Sequence, residues 1–407
     1  VTDGVASEAL FSDFSARLNG DGPVGVAVSG GGDSLALLYA LKAWGRRPLH
    51  VFCVDHRLNP DGADWARRVG EIAARLGTAF TALSWDDPKP ATGLAAAARA
   101  ARHVLLAGAA RRAGCRVLCL GHTADDVIEA QAMRAAGASV GAPRVWAPSP
   151  VWPQGRGLFL YRPLLRVRRA ALRVWLAQQG AEWIDDPAND NPASLRARMR
   201  RQIAGGGELA AEPLFLGLPT GLMIDDPVSA LGVVRIDLSR LKALPQADAV
   251  RLLAAAAVCA GGGDRLPRRA QVARMLETTD AAPHGLCGAR LWRRDGLIWI
   301  AREAGDYRRQ PPRLHRETEA LVWDGRFELE PHARVTASGA RRAELGEADR
   351  KQLLTLPPAL RGALPVVETR DGPALASAWC WVAWRLRAAA GGFASERDLD
   401  TAASKGV

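Results

Sequence analysis

The chain has 407 residues, 48% hydrophobic and 24% charged, enough apolar material for the cores of two or three domains. No stretch reaches the ~18 uninterrupted apolar residues of a membrane helix. The acidic, amphipathic start VTDGVASEALFSDF reads as neither signal nor transit peptide, so a cytoplasmic protein without membrane contact is expected. The net charge of +11 is uneven: residues 96–205 hold 17 Lys/Arg against 7 Asp/Glu, whereas residues 1–95 hold 9 against 11. Such a concentration marks either a polyanion footprint or a composition rich in arginine throughout.

In chain order, short apolar runs at Val24–Val28, Leu49–Val54, Ala79–Leu83, Val117–Leu120 and Leu158–Leu160 predict buried strands. Helical periodicity fills the intervals, at about 34–43, 63–76, 94–113, 125–135 and 168–179. This alternation predicts an α/β fold with a parallel sheet covered by helices on both faces, and a ligand beyond the carboxyl ends of its strands. Residues 136–156, rich in Gly, Pro and Trp and without periodicity, form either a substrate lid or a disordered loop. Beyond Gly205–Gly207 the pattern changes. Helices predicted within 237–277 and a hairpin at Ala289–Trp292 and Leu297–Ala301 suggest a mainly helical second domain. Tyr307–Arg313 reads as a linker to a small α+β domain, and the last dozen residues read as frayed. The expected division is 1–205, 206–310 and 311–407.

The strongest local signal is VGVAVSGGGDSLALL, where a β-branched strand runs through Ser29-Gly30-Gly31-Gly32-Asp33-Ser34 into an apolar helix. Glycines let successive backbone N–H groups face an anion, and the helix dipole favours the same charge. Ser29 and Ser34 add hydroxyls; Asp33 can hold Mg²⁺ or cap the helix. No Lys-Ser/Thr pair follows, which excludes the loop that grips β/γ-phosphates for γ-phosphoryl transfer.

Four further stretches carry candidate chemistry. Asp55-His56 ends the second strand, as a turn or as part of a site. Arg99 and Arg102, three apart, share a helix face. His122 ends a strand in GHTADDVIE, where Asp125 opens a helix and Asp126 and Glu129 fall on one face. These acids suit Mg²⁺ or an ammonium group, or merely complement the helix dipole. WIDDPAND at 183–190 is followed by Arg196, Arg198, Arg200 and Arg201, a phosphate-positioning surface or a solvated charge run.

SGGGDS resembles the signature of the N-type ATP pyrophosphatases, the PP-loop family. Together and in this order, SGGGDS, VDHRL, AARAAR, GHTADDVIE, RPLL at Arg162–Leu165, WIDDPAND and RARMRR resemble the tRNA(Ile)-lysidine synthetase family over the first 200 or so residues. The resemblance implies an ATP-dependent ligase that joins lysine to C2 of the wobble cytidine of a CAU-anticodon tRNA(Ile). The route runs through an adenylated tRNA and releases pyrophosphate and AMP, changing decoding from AUG to AUA. It implies ATP phosphates at Ser29–Ser34, Mg²⁺ on Asp33 and Asp126, and nucleotide beside His122 and Asp125. Asp126 and Glu129 would orient lysine or the metal, Arg99 would meet the α-phosphate or adenylate, and Arg196, Arg198, Arg200 and Arg201 would bind tRNA backbone. Departures from the family pattern are His103 for Tyr, Ala197 for Asn, Ala130-Gln131 for a Thr-hydrophobic pair, and the unusual 136–156 stretch. Oligomeric state is left open, a homodimer being one option. Two alternatives are a PP-loop tRNA thiolase and a non-catalytic basic RNA-binding protein. The absence of any CxxC among Cys53, Cys115, Cys119, Cys259, Cys287 and Cys380 argues against the first, as against zinc or disulfides. The intact acids argue against the second.

Overall fold

The computed structural model describes residues 8–138, 140–185, 198, 229–277, 283–356, 358 and 361–399. Described residues up to 198, together with Ala394–Leu399, form one compact unit, and those from 229 to 393 a second.

The first unit is a six-stranded sheet in the order β3-β2-β1-β4-β6-β5. Its strands are β1 (Val24–Ala27), β2 (Leu49–Asp55), β3 (Ala79–Ser84), β4 (Val117–Leu120), β5 (Trp146–Pro148) and β6 (Phe159–Tyr161). All pairings are parallel except β5 with β6. The helices are α1 (Glu8–Arg17), α2 (Gly32–Trp44), α3 (Gly62–Arg75), α4 (Leu94–Arg112), α5 (Ala124–Ala135) and α6 (Arg169–Gln178). One face of the sheet shows Phe52, Leu118, Leu120, Leu158 and Leu160 to Leu106 and Ala110 of α4. On the other face Phe14 of α1 meets Trp44 of α2 and Tyr161 edge-on. Leu35, Leu38 and Leu41 of α2 are almost fully buried, each worth roughly 2 kcal/mol of apolar transfer. Because β2 and β3 lie on one side of β1 and β4 on the other, the chain reverses direction across the sheet between β1 and β4. That switch point opens a crevice at their carboxyl ends.

Three findings differ from the sequence expectation. α1 was not foreseen. The 136–156 stretch is neither lid nor loop throughout: β5 lies within it, with Trp146 buried and stacked on Phe159 at 5.0 Å. The chain end is not frayed up to 399, because Glu396 pairs with Arg47, both side chains being buried, and Arg397 N–H donates to Asn19 Oδ1 at 2.9 Å.

In the second unit, β7 (Val234–Asp237), β8 (His284–Leu286), β9 (Ala289–Arg294) and β10 (Leu297–Arg302) form an antiparallel sheet ordered β7-β10-β9-β8. Helix Gln246–Gly261 packs on it. The predicted β9–β10 hairpin is present, but the region is helix-plus-sheet rather than mainly helical. Val233 and Ala301 share a core with Leu321, Trp323 and Phe327 of the strands that follow. The unit also holds a buried ion cluster in which Arg302 and Arg326 both donate to Asp324 Oδ2, at 2.9 and 3.1 Å.

Candidate active site

The crevice at the β1/β4 switch point gathers most of the residues singled out from sequence. Gly30 adopts φ +88°, the left-handed conformation that favours glycine, and a Cβ there would press on the Ile184 Cδ1 methyl at 2.7 Å. The Ser34 hydroxyl donates to the Gly31 carbonyl at 2.9 Å and accepts the Ser29 N–H at 3.2 Å. Ser34 thus closes the loop on itself as well as facing the crevice. Behind the loop, Gly121 ends β4 so tightly against α2 that a Cβ would meet the Asp33 carbonyl oxygen at 2.8 Å.

α5 then carries the acids. Thr123 precedes it, and Asp126 folds back to accept from the Thr123 N–H at 2.8 Å and its hydroxyl at 3.1 Å. This is helix capping of the kind acidic first-turn residues provide. Asp126 and Glu129 nevertheless face Asp33, and the group that joins them is one the sequence reading missed. Arg169, at the start of α6, donates from Nε to Asp33 Oδ2 at 2.8 Å and from Nη1 to Glu129 Oε1 at 3.4 Å. Its Nη2 lies 3.8 Å from Asp126 Oδ2. Asp125 is tied to the same segment, accepting the Arg169 N–H at 2.7 Å and pairing with Arg168 at 3.1 Å. The only sequence signal was the RPLLRVRR run, whose last residue is Arg169 itself.

Burial raises the Asp33 carboxyl above its ordinary pKa, against the hydrogen bond and charge of Arg169. Burial opposes the charge of Arg169, but Asp33, Asp126 and Glu129 outweigh it and hold the guanidinium protonated. Asp33 Oδ1 is buried without a hydrogen-bond partner among the described residues. An orphaned carboxylate oxygen fits a hard cation. Among the described residues no group of three or more His, Cys, Asp or Glu is arranged to hold a metal.

Beside the acids lies a cationic wall. Arg162, 8% exposed, is lowered to about 10 by burial and by Arg99, Arg102 and Arg144. Burial, then Arg162, pushes His122 down, and burial with Arg102 and Arg99 takes His103 to about 3. Both imidazoles are therefore neutral at physiological pH. His56 is also lowered, by burial and Arg102, and meets Trp85 edge-on. A cavity of about 380 Å³ opens at the end of β2, lined by Asp55, Arg57, Leu58 and Asn59.

Trp183–Asp185 seats over the loop. The Ile184 N–H donates to the Gly30 carbonyl at 2.9 Å, and Arg173 of α6 pairs with Asp185 at 2.9 Å. Arg198 is exposed, while Arg196, Arg200 and Arg201 lie outside the described residues. All six cysteines are unpaired thiols, and burial pushes Cys53 and Cys115 up to about 12.

A mostly parallel sheet, a glycine-rich loop at its switch point and acids on the helix after the neighbouring strand are the features of a PP-loop nucleotide-binding domain, and residues 6–205 match the PP-loop domain family. The chain is 43% identical over 363 residues to the tRNA(Ile)-lysidine synthase of Caulobacter vibrioides, covering 86% of this chain and 85% of that one. It is 34% identical over 372 residues to the tRNA(Ile)-lysidine synthase of Brucella ovis, covering 81% and 77%. The chain belongs to the tRNA(Ile)-lysidine synthase family. Among solved structures, the U34-tRNA thiolase NcsA of Methanococcus maripaludis aligns with 49% of this chain and 72% of its own, at 15% identity and a TM-score of 0.41. No described helix is long and apolar enough to cross a membrane.

Proposed function

We propose that this chain ligates lysine to C2 of the wobble cytidine of CAU-anticodon tRNA(Ile), using ATP to adenylate the C2 oxygen. The observation that carries the reading is the Ile184–Gly30 hydrogen bond: Trp183–Asp185, the described start of the WIDDPAND stretch, sits on the glycine-rich loop itself.

The C2 oxygen is a poor leaving group until it carries AMP. Amides of Gly30–Gly32, with Ser29 and Ser34, would hold the phosphates while the C2 oxygen attacks the α-phosphorus and pyrophosphate departs. Asp33, with Asp126, would hold Mg²⁺, whose charge opposes that building on the phosphates. Arg99, backed by Arg102 and Arg162, would meet the α-phosphate and then the adenylate. His122 and Asp125 would border the nucleotide, the neutral imidazole acting by hydrogen bonding rather than by charge. Asp126 and Glu129 would orient the lysine ammonium, and the amine, once deprotonated, would displace AMP. Arg196, Arg198, Arg200 and Arg201 would neutralise tRNA phosphates, and the target base would leave its single-stranded loop at low cost. Residues 206–310 and 311–407 would act as tRNA-gripping domains. Four of the six thiols are buried, and burial pushes those of Cys53 and Cys115 up; this supports the reading over sulfur transfer, which needs accessible thiolates.

ATP labelled at the α-phosphorus tests it. With the tRNA and without lysine, the label is expected on tRNA as a transient adenylate. Label recovered only as ADP would overturn the adenylation step.

A further inference from the structure

We propose that a cavity in the second unit, bounded by β8, the turn that follows it and Glu303, takes a single unstacked guanine base of the tRNA. That the base belongs to tRNA rests on the function proposed above. The cavity holds about 310 Å³, room for one base, and Pro267, Gln271, Leu286, Cys287 and Glu303 are among its walls. β8 is the edge strand of its sheet, and Leu286 pairs with Ala289 across the two-residue turn Cys287-Gly288. In that register Gly285 directs its backbone N–H and C=O away from β9, out over the open edge. Gly285 has no side chain to cover them, and Glu303 Oε2 lies 3.4 Å from where its Cβ would sit. The second acid of the cavity, Asp306, is committed to Arg302 at 3.0 Å and to Arg309 at 3.3 Å. Glu303 makes no side-chain hydrogen bond or ion pair among the described residues. A strand-edge N–H beside two carboxylate oxygens sets one donor next to two acceptors. Of the four bases only guanine answers with an acceptor, O6, next to two donors, N1–H and the N2 amine. Charge around the cavity suits the same ligand. Arg265, Arg268 and Arg269 flank Pro267, Arg308 and Arg309 follow Asp306, and all five are exposed. The Cys287 thiol donates to the Arg265 carbonyl at 3.7 Å, which ties the turn to that basic segment. Acids inside and arginines around them draw a base inward while its phosphates stay at the rim.

Transcripts of the CAU-anticodon tRNA(Ile) carrying sparse inosine in place of guanosine, which deletes the N2 amine, are sorted by retention on the full chain. Inosine at one position is expected to be depleted from the fraction that the wild type retains, and to be tolerated by Glu303→Ala. Glu303→Ala itself is expected to bind the unmodified transcript about tenfold more weakly, as for one lost bidentate contact. Equal affinity, or the absence of any inosine-sensitive position that depends on Glu303, overturns the proposal. Should Glu303→Ala fail to fold, Gly285→Val decides, because it fills the cavity and leaves Glu303 in place. It is expected to show the same two effects, and a Gly285→Val chain that binds and sorts as the wild type does refutes the proposal. Free GMP separates the two sources of guanine: a wild type that binds GMP but sorts no inosine position assigns the cavity to a free nucleotide and overturns the tRNA base. A wild type that retains no tRNA would overturn the proposed function as well, whereas tRNA retained without dependence on Glu303 overturns this inference alone.

Discussion

At Asp33 the proposed role in the site runs against the stability of the fold. Its carboxyl is raised by burial, so the stability it contributes is present at low pH and is lost as pH rises through the folded value. At neutral pH the ionised group is a burden. Asp33→Asn is therefore expected to raise the melting temperature, or leave it unchanged, while pyrophosphate release falls by roughly 100-fold or more; a lower melting temperature would contradict this. The histidines work with the opposite sign. His103 lies at about 3, and His122 and His56 are also lowered, so below the ordinary imidazole value the unfolded chain takes up protons that the fold refuses. Stability is expected to fall between pH 6.5 and 5, by up to about 1.4 kcal/mol per pH unit for each histidine. Denaturant midpoints at several pH values check this, and His103→Gln should flatten the slope. Asp33, Asp126 and Glu129 were legible in the sequence, because fixed spacing after a strand places them. Arg169 was not: its partners lie 136 and 40 residues away, and only the fold brings them within reach.

Among the elements, β1, β2 and β4 were legible because their short apolar runs are bounded by turns and are too brief for a helix. β5 was not, since Trp146-Ala147-Pro148 has no strand pattern of its own and exists by pairing with β6. The junction of β4 with α2 is where an element-scale change would reach the site. Gly121→Ala would drive a methyl to 2.8 Å from the Asp33 carbonyl oxygen and 2.9 Å from Ser34 Cα, both backbone atoms that cannot rotate away. The expected cost is about 1–3 kcal/mol of stability, with the loop displaced. ATP affinity, measured by calorimetry, should weaken at least tenfold. Unchanged affinity would mean that the β4–α2 contact does not shape the loop.

Across the whole molecule, the chain returns from its far end to complete the first unit. Glu396, 2% exposed, accepts from Arg47 across 349 residues of sequence and from the Gly20 N–H at 3.3 Å. No local pattern could announce that pairing, which is why the end read as frayed. Glu396→Ala leaves a buried guanidinium without its carboxylate and should destabilise the first unit by about 3 kcal/mol, whereas Arg47→Met combined with Glu396→Leu should recover most of the loss. Urea midpoints of the two variants check both halves. The central claim, ligation of lysine to tRNA, is tested most directly by incubating the pure protein with labelled lysine, ATP, Mg²⁺ and a CAU-anticodon tRNA(Ile) transcript. Label on the tRNA that requires ATP and vanishes in Asp33→Ala is the predicted result; pyrophosphate release with no lysine on the tRNA would contradict it.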